Sequence, residues 1–324
     1  MSLDKEYKGC FVGFDTSNYT TSIAVADIDG RVIANLKTPL PVKEGQRGLR
    51  QSDAVFEHTR NLPMLTEELR KVLSEGNYRP LAVGVSATPR DAEGSYMPCF
   101  LAGISAASSF AAALDIPLYR FSHQNGHIMA AAYSSGSSDL LLSEPFVAFH
   151  VSGGTTEALY VEPAADSIRV TTVGETDDIN AGQLIDRVGV AMGLSFPCGR
   201  EMELLASEYK GKVLKHPVCV RGAKCSLSGA ENIALRIYGQ NNDKSEAAAF
   251  VFDFVCRTLV AMGKGMEKLY GKRRVLFAGG VMSNKLMRQR LSDNFEAYYS
   301  EPQFSADNAA GIALLAGKQY KKYN

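Results

Sequence analysis

The chain has 324 residues, of which 45% are apolar and 22% charged, an ordinary globular composition too long for one small core and suited to two domains. Its formal net charge is zero, which excludes whole-molecule steering toward nucleic acid or anionic membrane, and no apolar run reaches the ~18 residues that a membrane helix needs. The opening MSLDKEYKGC carries charge where a secretory leader would be apolar; six cysteines (Cys10, Cys99, Cys198, Cys219, Cys225, Cys256) without a CxxC pair are expected as reduced thiols of a cytoplasmic protein.

In chain order, FVGFDTSNYTTSIAV (11–25) predicts an apolar strand, a tight polar turn and a second strand. TEELRKVLSEG (66–76) has helical periodicity, LAVGVSA (81–87) reads as a buried strand, 97–115 as an Ala/Ser-rich helix and PLYRFS (117–122) as another strand. FVAFHVSGGTTEALY (146–160) then repeats the first hairpin: Phe, Val, Phe, Ser, Thr and Thr coincide at 11/146, 12/147, 14/149, 17/152, 20/155 and 21/156. Helices are expected over 181–194, 246–270 and 307–323, with a strand over 273–281 that runs into a Gly-Gly turn. Two like hairpins, each followed by alternating helices and strands, predict two α/β lobes of related architecture.

Two glycine turns are candidate phosphate or nucleotide contacts. Ser152-Gly153-Gly154-Thr155-Thr156 lies between strands and offers N–H and hydroxyl donors to an anion. Phe277-Ala278-Gly279-Gly280-Val281 leads into a helix at Asn284 whose N-terminus favours negative charge. Either turn alone also fits an ordinary hairpin; both in one repeated context favour a nucleotide. His123 and His127, four apart after a strand, can share a metal from one helix face. Gln124 stands where a zincin has its general-base Glu, so the pair argues for a metal and against a metalloprotease. His150 ends the strand before the glycine turn, at the position the repeat equates with Asp15. Asp177, Asp178 and Asp186 are accounted for as surface acids and helix N-terminal charge, and Asp307 as an N-cap.

These pieces belong to an ordered series: GFDTSNYTTS (13–22), HQNGH (123–127), HVSGGTTEAL (150–159), TDDINAGQLIDRVGVAMGLSFPCG (176–199), CSLSGAEN (225–232), FAGGVMSNKLMR (277–288) and SADNAAGIA (305–313). The series resembles the catalytic subunit family of tRNA threonylcarbamoyladenosine synthase, formerly the O-sialoglycoprotein endopeptidase or glycoprotease family, with the chain as a diverged paralogue. The resemblance implies an α/β, two-lobed actin/Hsp70/sugar-kinase-like (duplicated ribonuclease-H-like) fold, with lobes expected at 1–121 plus 305–324 and at 122–304. It implies one divalent metal, iron or zinc, on His123, His127 and Asp307, with His150 as a further ligand. It places an adenine nucleotide (threonylcarbamoyl-AMP, AMP or ATP) on Ser152, Gly153, Gly154, Thr155, Asp186, Gly199, Glu203, Gly279, Gly280 and Asn284. The implied reaction moves a threonylcarbamoyl group from its adenylate to an adenosine of tRNA, with other threonylcarbamoylation subunits as partners and no membrane.

The chain departs from the family at Asn18, Tyr19 and Thr20, where acids are usual, at Thr88-Pro89-Arg90-Asp91, at Thr155 and at Arg200. Lys210, Lys212, Lys215, Arg221, Lys224, Lys272, Arg273 and Arg274 could meet tRNA phosphates or form a solvated surface. Two other classes remain open: an ATP-dependent phosphotransferase with Asp15 near magnesium, which leaves the histidines without a task, and a non-catalytic nucleotide-binding partner, which has no need of a metal.

Overall fold

The computed structural model describes residues 7–17, 19–41, 49–305 and 308–324. In chain order the elements begin with strands β1 (Lys8–Asp15), β2 (Thr20–Asp27) and β3 (Val32–Pro39), helix α1 (Gln51–Gly76), β4 (Tyr78–Thr88), α2 (Phe100–Leu114), β5 (Leu118–Ser122) and α3 (His123–Ser134). Next come α4 (Ser138–Leu141), β6 (Phe146–Val151), β7 (Thr156–Pro163), β8 (Ile168–Glu175), α5 (Ala181–Ala191), α6 (Gly199–Glu208), β9 (Cys219–Arg221), β10 (Lys224–Ser226) and α7 (Ser228–Asn241). The remainder is α8 (Lys244–Tyr270), β11 (Val275–Ala278), a 3-10 turn (Gly280–Ser283), α9 (Lys285–Ser292), β12 (Ala297–Tyr299), α10 (Pro302–Ser305) and α11 (Ala310–Tyr323). Helix α1 starts 15 residues before the periodic segment and runs through Pro63. Its buried stripe of Ala54, His58, Leu62, Leu65 and Leu69 holds the helix together where proline removes one backbone bond.

The chain forms two compact units: Met1–Tyr133 with Pro163–Val170 and Phe304–Asn324, and Ser134–Glu162 with Thr171–Gln303. The first holds a five-stranded sheet in the order β3-β2-β1-β4-β5. Side chains alternate along its strands, so β1 and β2 turn Val12, Phe14, Ile23 and Val25 toward α1 and α2, while Ala24 and Ala26 meet Ala309, Ala310 and Ala313 beside α11. The boundary expected at residue 122 falls after Tyr133 instead. Helix α3 continues directly from β5, donates from Gln124 N to Pro89 O, and has Tyr133 near its end, whose Oη accepts from Val32 N. Asn125 Nδ2 also donates to Ile168 O at 3.1 Å, which draws 163–170 into the same unit.

The second unit has the sheet order β12-β11-β6-β7-β8, the mirror listing of the same topology. Its core is larger, with Phe149 stacked on Phe277 at 5.4 Å and α8 buried along most of its length. The hairpin repeat holds at the level of register. Phe11 faces Ala26 as Phe146 faces Val161, and Asp15 faces Ser22 as His150 faces Glu157.

Candidate functional site

The first unit presents the histidine pair. His123 and His127 open α3 one turn apart, and their ring centroids lie 4.2 Å from each other at 75°. Asp15, at the end of β1 and fully buried, places Oδ2 2.8 Å from His123 Nδ1 and accepts Ser86 Oγ at 2.6 Å. Its other oxygen accepts Ser17 N at 2.8 Å and the Ser17 hydroxyl. Burial alone would raise the Asp15 carboxyl, but the charge and hydrogen bond of His123, with those of Ser17 and Ser86, hold it below the usual range. An ionised carboxylate only accepts, so His123 keeps a proton on Nδ1 toward Asp15, and Nε2 is the nitrogen that, in the neutral ring, can offer a lone pair to a metal.

Ser17 Oγ lies 3.3 Å from His123 Nε2, which gives these three residues the connectivity of a Ser-His-Asp triad. The chemistry is absent: Ser17 is 1% exposed and its hydroxyl proton goes to Asp15, so neither a substrate nor the imidazole reaches the oxygen as a nucleophile requires. Among the described residues no group of three or more His, Cys, Asp or Glu side chains is placed to hold a metal, and Asp307 and Asn18 lie outside them. His150 is the last residue but one of β6 in the second unit, half-buried, opposite Glu157 on β7 and Ala278 on β11.

The second unit gathers most of the expected nucleotide residues around one cavity of about 500 Å³, lined by Gly153, Asp186, Gly199, Glu203, Gly280 and Asn284 among others. Turn 152–155 is closed by Ser152 N donating to Thr155 O at 2.7 Å, and α5 docks on it through Gly182 N to Ser152 O at 3.1 Å. A Cβ at Gly182 would come within 2.7 Å of the Gly153 backbone, so the close approach depends on glycine. Gly279 sets the second turn with φ 99° and leaves no room beside Val151 O. Ser152, Gly154, Thr155 and Gly279 shape these turns without lining the cavity.

Asp186, Glu203 and Asn284 each have one half spoken for. Asp186 Oδ1 accepts Cys198 N at 2.8 Å, and Glu203 Oε1 accepts Lys285 N at 2.7 Å. Burial raises the Asp186 carboxyl, partly countered by the Cys198 N–H. Asn284 caps α9 with Oδ1 on Met287 N at 2.9 Å, while its Nδ2 is buried with no partner among the described residues. A buried amide donor without a partner is costly, and this one belongs to a residue that lines the cavity.

Residues 44–314 match the family model for tRNA N6-adenosine threonylcarbamoyltransferase. The chain belongs to that family. Among curated members it is 32% identical to the tRNA N6-adenosine threonylcarbamoyltransferase of Thermus thermophilus, over 96% of this chain and 93% of that one. It is 28% identical to the Methanopyrus kandleri protein of the same name, over 93% and 85%. Among solved structures it resembles HypF of T. kodakarensis (TM-score 0.61, 15% identity, 98% of this chain and 48% of that one). It also resembles a ROK hexokinase of Thermus thermophilus (TM-score 0.51, 15% identity, 97% and 100%). These likenesses establish the α/β fold of the actin/Hsp70/sugar-kinase class for this threonylcarbamoyltransferase-family chain, and none of its described helices is long and apolar enough to cross a membrane.

Several residues escaped the sequence reading. Asp15 is the partner of His123; the hint was its equivalence to His150 in the repeat. Asp178 caps no part of α5, which has its own capping box from Asn180 and Gln183. Instead its carboxylate accepts Leu227 N at 2.8 Å, Ser228 N at 3.0 Å and the Ser226 and Ser228 hydroxyls, fastening the start of α7. Those hydrogen bonds outweigh burial and hold it well below the usual carboxylate range. Of the basic residues, Lys215 is bound to buried Asp253 at 2.6 Å and Arg274 to Glu296 at 3.1 Å, so both have structural work.

Proposed function

We propose that this chain transfers a threonylcarbamoyl group from threonylcarbamoyl-AMP to an adenosine of tRNA. In that transfer the adenosine amino nitrogen bonds to the carbamoyl carbon, the bond from that carbon to the phosphate oxygen breaks, and AMP leaves. The observation that carries the reading is the unpartnered Asn284 Nδ2, buried on a cavity that two glycine turns and the Asp186 and Glu203 carboxylates also border. A cavity of this volume suits a nucleotide. The carboxylates accept from ribose hydroxyls, Asn284 donates to the base or sugar, and the Ser152-Gly153-Gly154-Thr155 turn offers N–H groups to the phosphate.

The histidine pair fits a divalent metal of the iron or zinc kind. Two imidazoles on one helix turn, one of them oriented by a buried carboxylate, are the donor set such ions take. His123 and His127, with Asp307 as the resemblance implies, would hold it; when bound, the metal would polarise a substrate carbonyl. Asp15 keeps the His123 ring in one tautomer, and Ser86 and Ser17 keep Asp15 in place.

The phosphotransferase alternative loses its acid here, because both Asp15 oxygens are taken up by His123, Ser86 and Ser17. Partner subunits that supply the adenylate or hold tRNA, and a cytoplasmic site of action, belong to the same proposal. Its test is incubation of the purified protein with threonylcarbamoyl-AMP, unmodified tRNA and the partner subunits of a threonylcarbamoylating system, followed by mass analysis of tRNA nucleosides. A modified adenosine that disappears with Asn284→Leu supports the reading. Unmodified tRNA, with the adenylate intact and metal bound, overturns it.

A further inference from the structure

Arg200 is the only cation among the described residues that line the 500 Å³ cavity, and Asp186 and Glu203 are its only acids. It is exposed, and no hydrogen bond or ion pair to a described residue holds its guanidinium. Glu203, the carboxylate three residues on along the same helix, is instead engaged by Lys285 N. A surface arginine with an acid three residues on would ordinarily close that i,i+3 pair. This one stands open at a ligand site.

Its place on α6 says which part of a nucleotide it meets. Arg200 and Glu203 are three apart in one helix and so share a face. A carboxylate repels phosphate and accepts from hydroxyls, so the Asp186 and Glu203 side of the cavity is the nucleoside side. A planar guanidinium there has the flat face of a purine before it rather than the phosphate, which belongs with the glycine turn at 153.

We infer that Arg200 stacks on the purine base of the bound nucleotide and sets the cavity's preference for purine nucleotides; this rests on the reading of the cavity as the adenylate site. The test is calorimetric binding of AMP, adenosine and CMP to the full chain and to its Arg200→Lys and Arg200→Gln variants. Stacking predicts that both variants lose about tenfold in affinity for AMP and adenosine alike and that the margin of AMP over CMP narrows with it. A phosphate contact predicts the reverse pattern: Arg200→Lys keeps AMP affinity, and the loss in Arg200→Gln spares adenosine. That pattern, or AMP affinity unchanged in both variants while the wild type binds it, overturns the role of Arg200 alone. Failure of the wild type to bind AMP, with Asn284→Leu no different, overturns the adenylate reading and Arg200's role together. Circular dichroism of the variants confirms that α6 is intact.

Discussion

Asp15 Oδ2 sits 2.8 Å from His123 Nδ1, so the strand that opens the chain's first sheet fixes the ring orientation of the first histidine on α3. The carboxylate is itself held by Ser86 and Ser17, and this leaves the imidazole one tautomer. Removing that support should be felt at the metal before it is felt by the fold. Asp15→Ala is expected to weaken iron or zinc retention about 10–100-fold, while Asp15→Asn, which can still accept from Nδ1–H, loses less. Metal content after timed dialysis against a chelator measures both.

Asn284 does two separable things. Asn284→Asp keeps the oxygen that caps α9 but replaces the Nδ2 donor with a second acceptor. AMP affinity should fall at least about tenfold, as expected for a lost buried hydrogen bond plus an added charge, with little change in melting temperature. Asn284→Ala should lose the affinity and also about 1 kcal/mol of stability through the missing cap. Paired binding and urea unfolding distinguish the two variants.

Gly182→Ala tests the docking of α5 on the first glycine turn. The added methyl would sit 2.7 Å from Gly153 N and 2.8 Å from Ser152 O, both backbone atoms with no side chain to swing away. A loss of about 1–3 kcal/mol is expected, with weaker AMP binding because the turn must shift. Thermal unfolding with and without AMP would show a smaller ligand-induced rise than in the wild type.

The pH dependence of stability has a specific source in Asp253. Its side chain is 1% exposed and bonds Lys215 at 2.6 Å, Arg257 at 2.7 Å and Arg290 at 2.6 Å. Burial pushes its carboxyl up, and the three cations together more than reverse this, so its folded value lies below the usual one. A depressed carboxylate contributes stability that is fully present above its unfolded value of about 4 and is lost as pH falls through the folded value. Asp253→Asn should therefore destabilise the protein at pH 7 by about 2 kcal/mol, below the range for fully buried pairs because Lys215 and Arg290 are half-exposed. The difference from wild type should shrink toward pH 3, which urea titrations at the two pH values would show.

The fold was legible because its main signals are local. The paired hairpins, the apolar strands and the long helix at 244–270 each carry their period in consecutive residues, and the repeat announced the shared sheet order. The first half of α1 was not, since Pro63 interrupts the pattern and only packing of Leu62, Leu65 and Leu69 restores it. Within the site, the two glycine turns pointed to Gly153, Gly280 and Asn284, while Asp186, Gly199 and Glu203 were implied only by the family resemblance; all six line one cavity. The Asp15–His123 pair joins residues 108 apart, and the Asp178 clamp on Ser228 joins residues 50 apart. Neither contact leaves a trace in local sequence, because a buried carboxylate looks like any surface acid until its donors are known.

The common register of the two hairpins means that one structural address occurs twice in the chain with different occupants. At the same register position before each turn, the first copy installs an acid and the second an imidazole, Asp15 and His150, on backbones paired alike. Descent from a duplicated ancestor would thus have preserved the frame while dividing the labour: one copy now serves as a bracket for a neighbouring helix, the other leads into the turn at 152–155 on which α5 docks. A relative's specialisation should be readable from the pair of residues at this doubled address, whichever substrate its loops have come to accept.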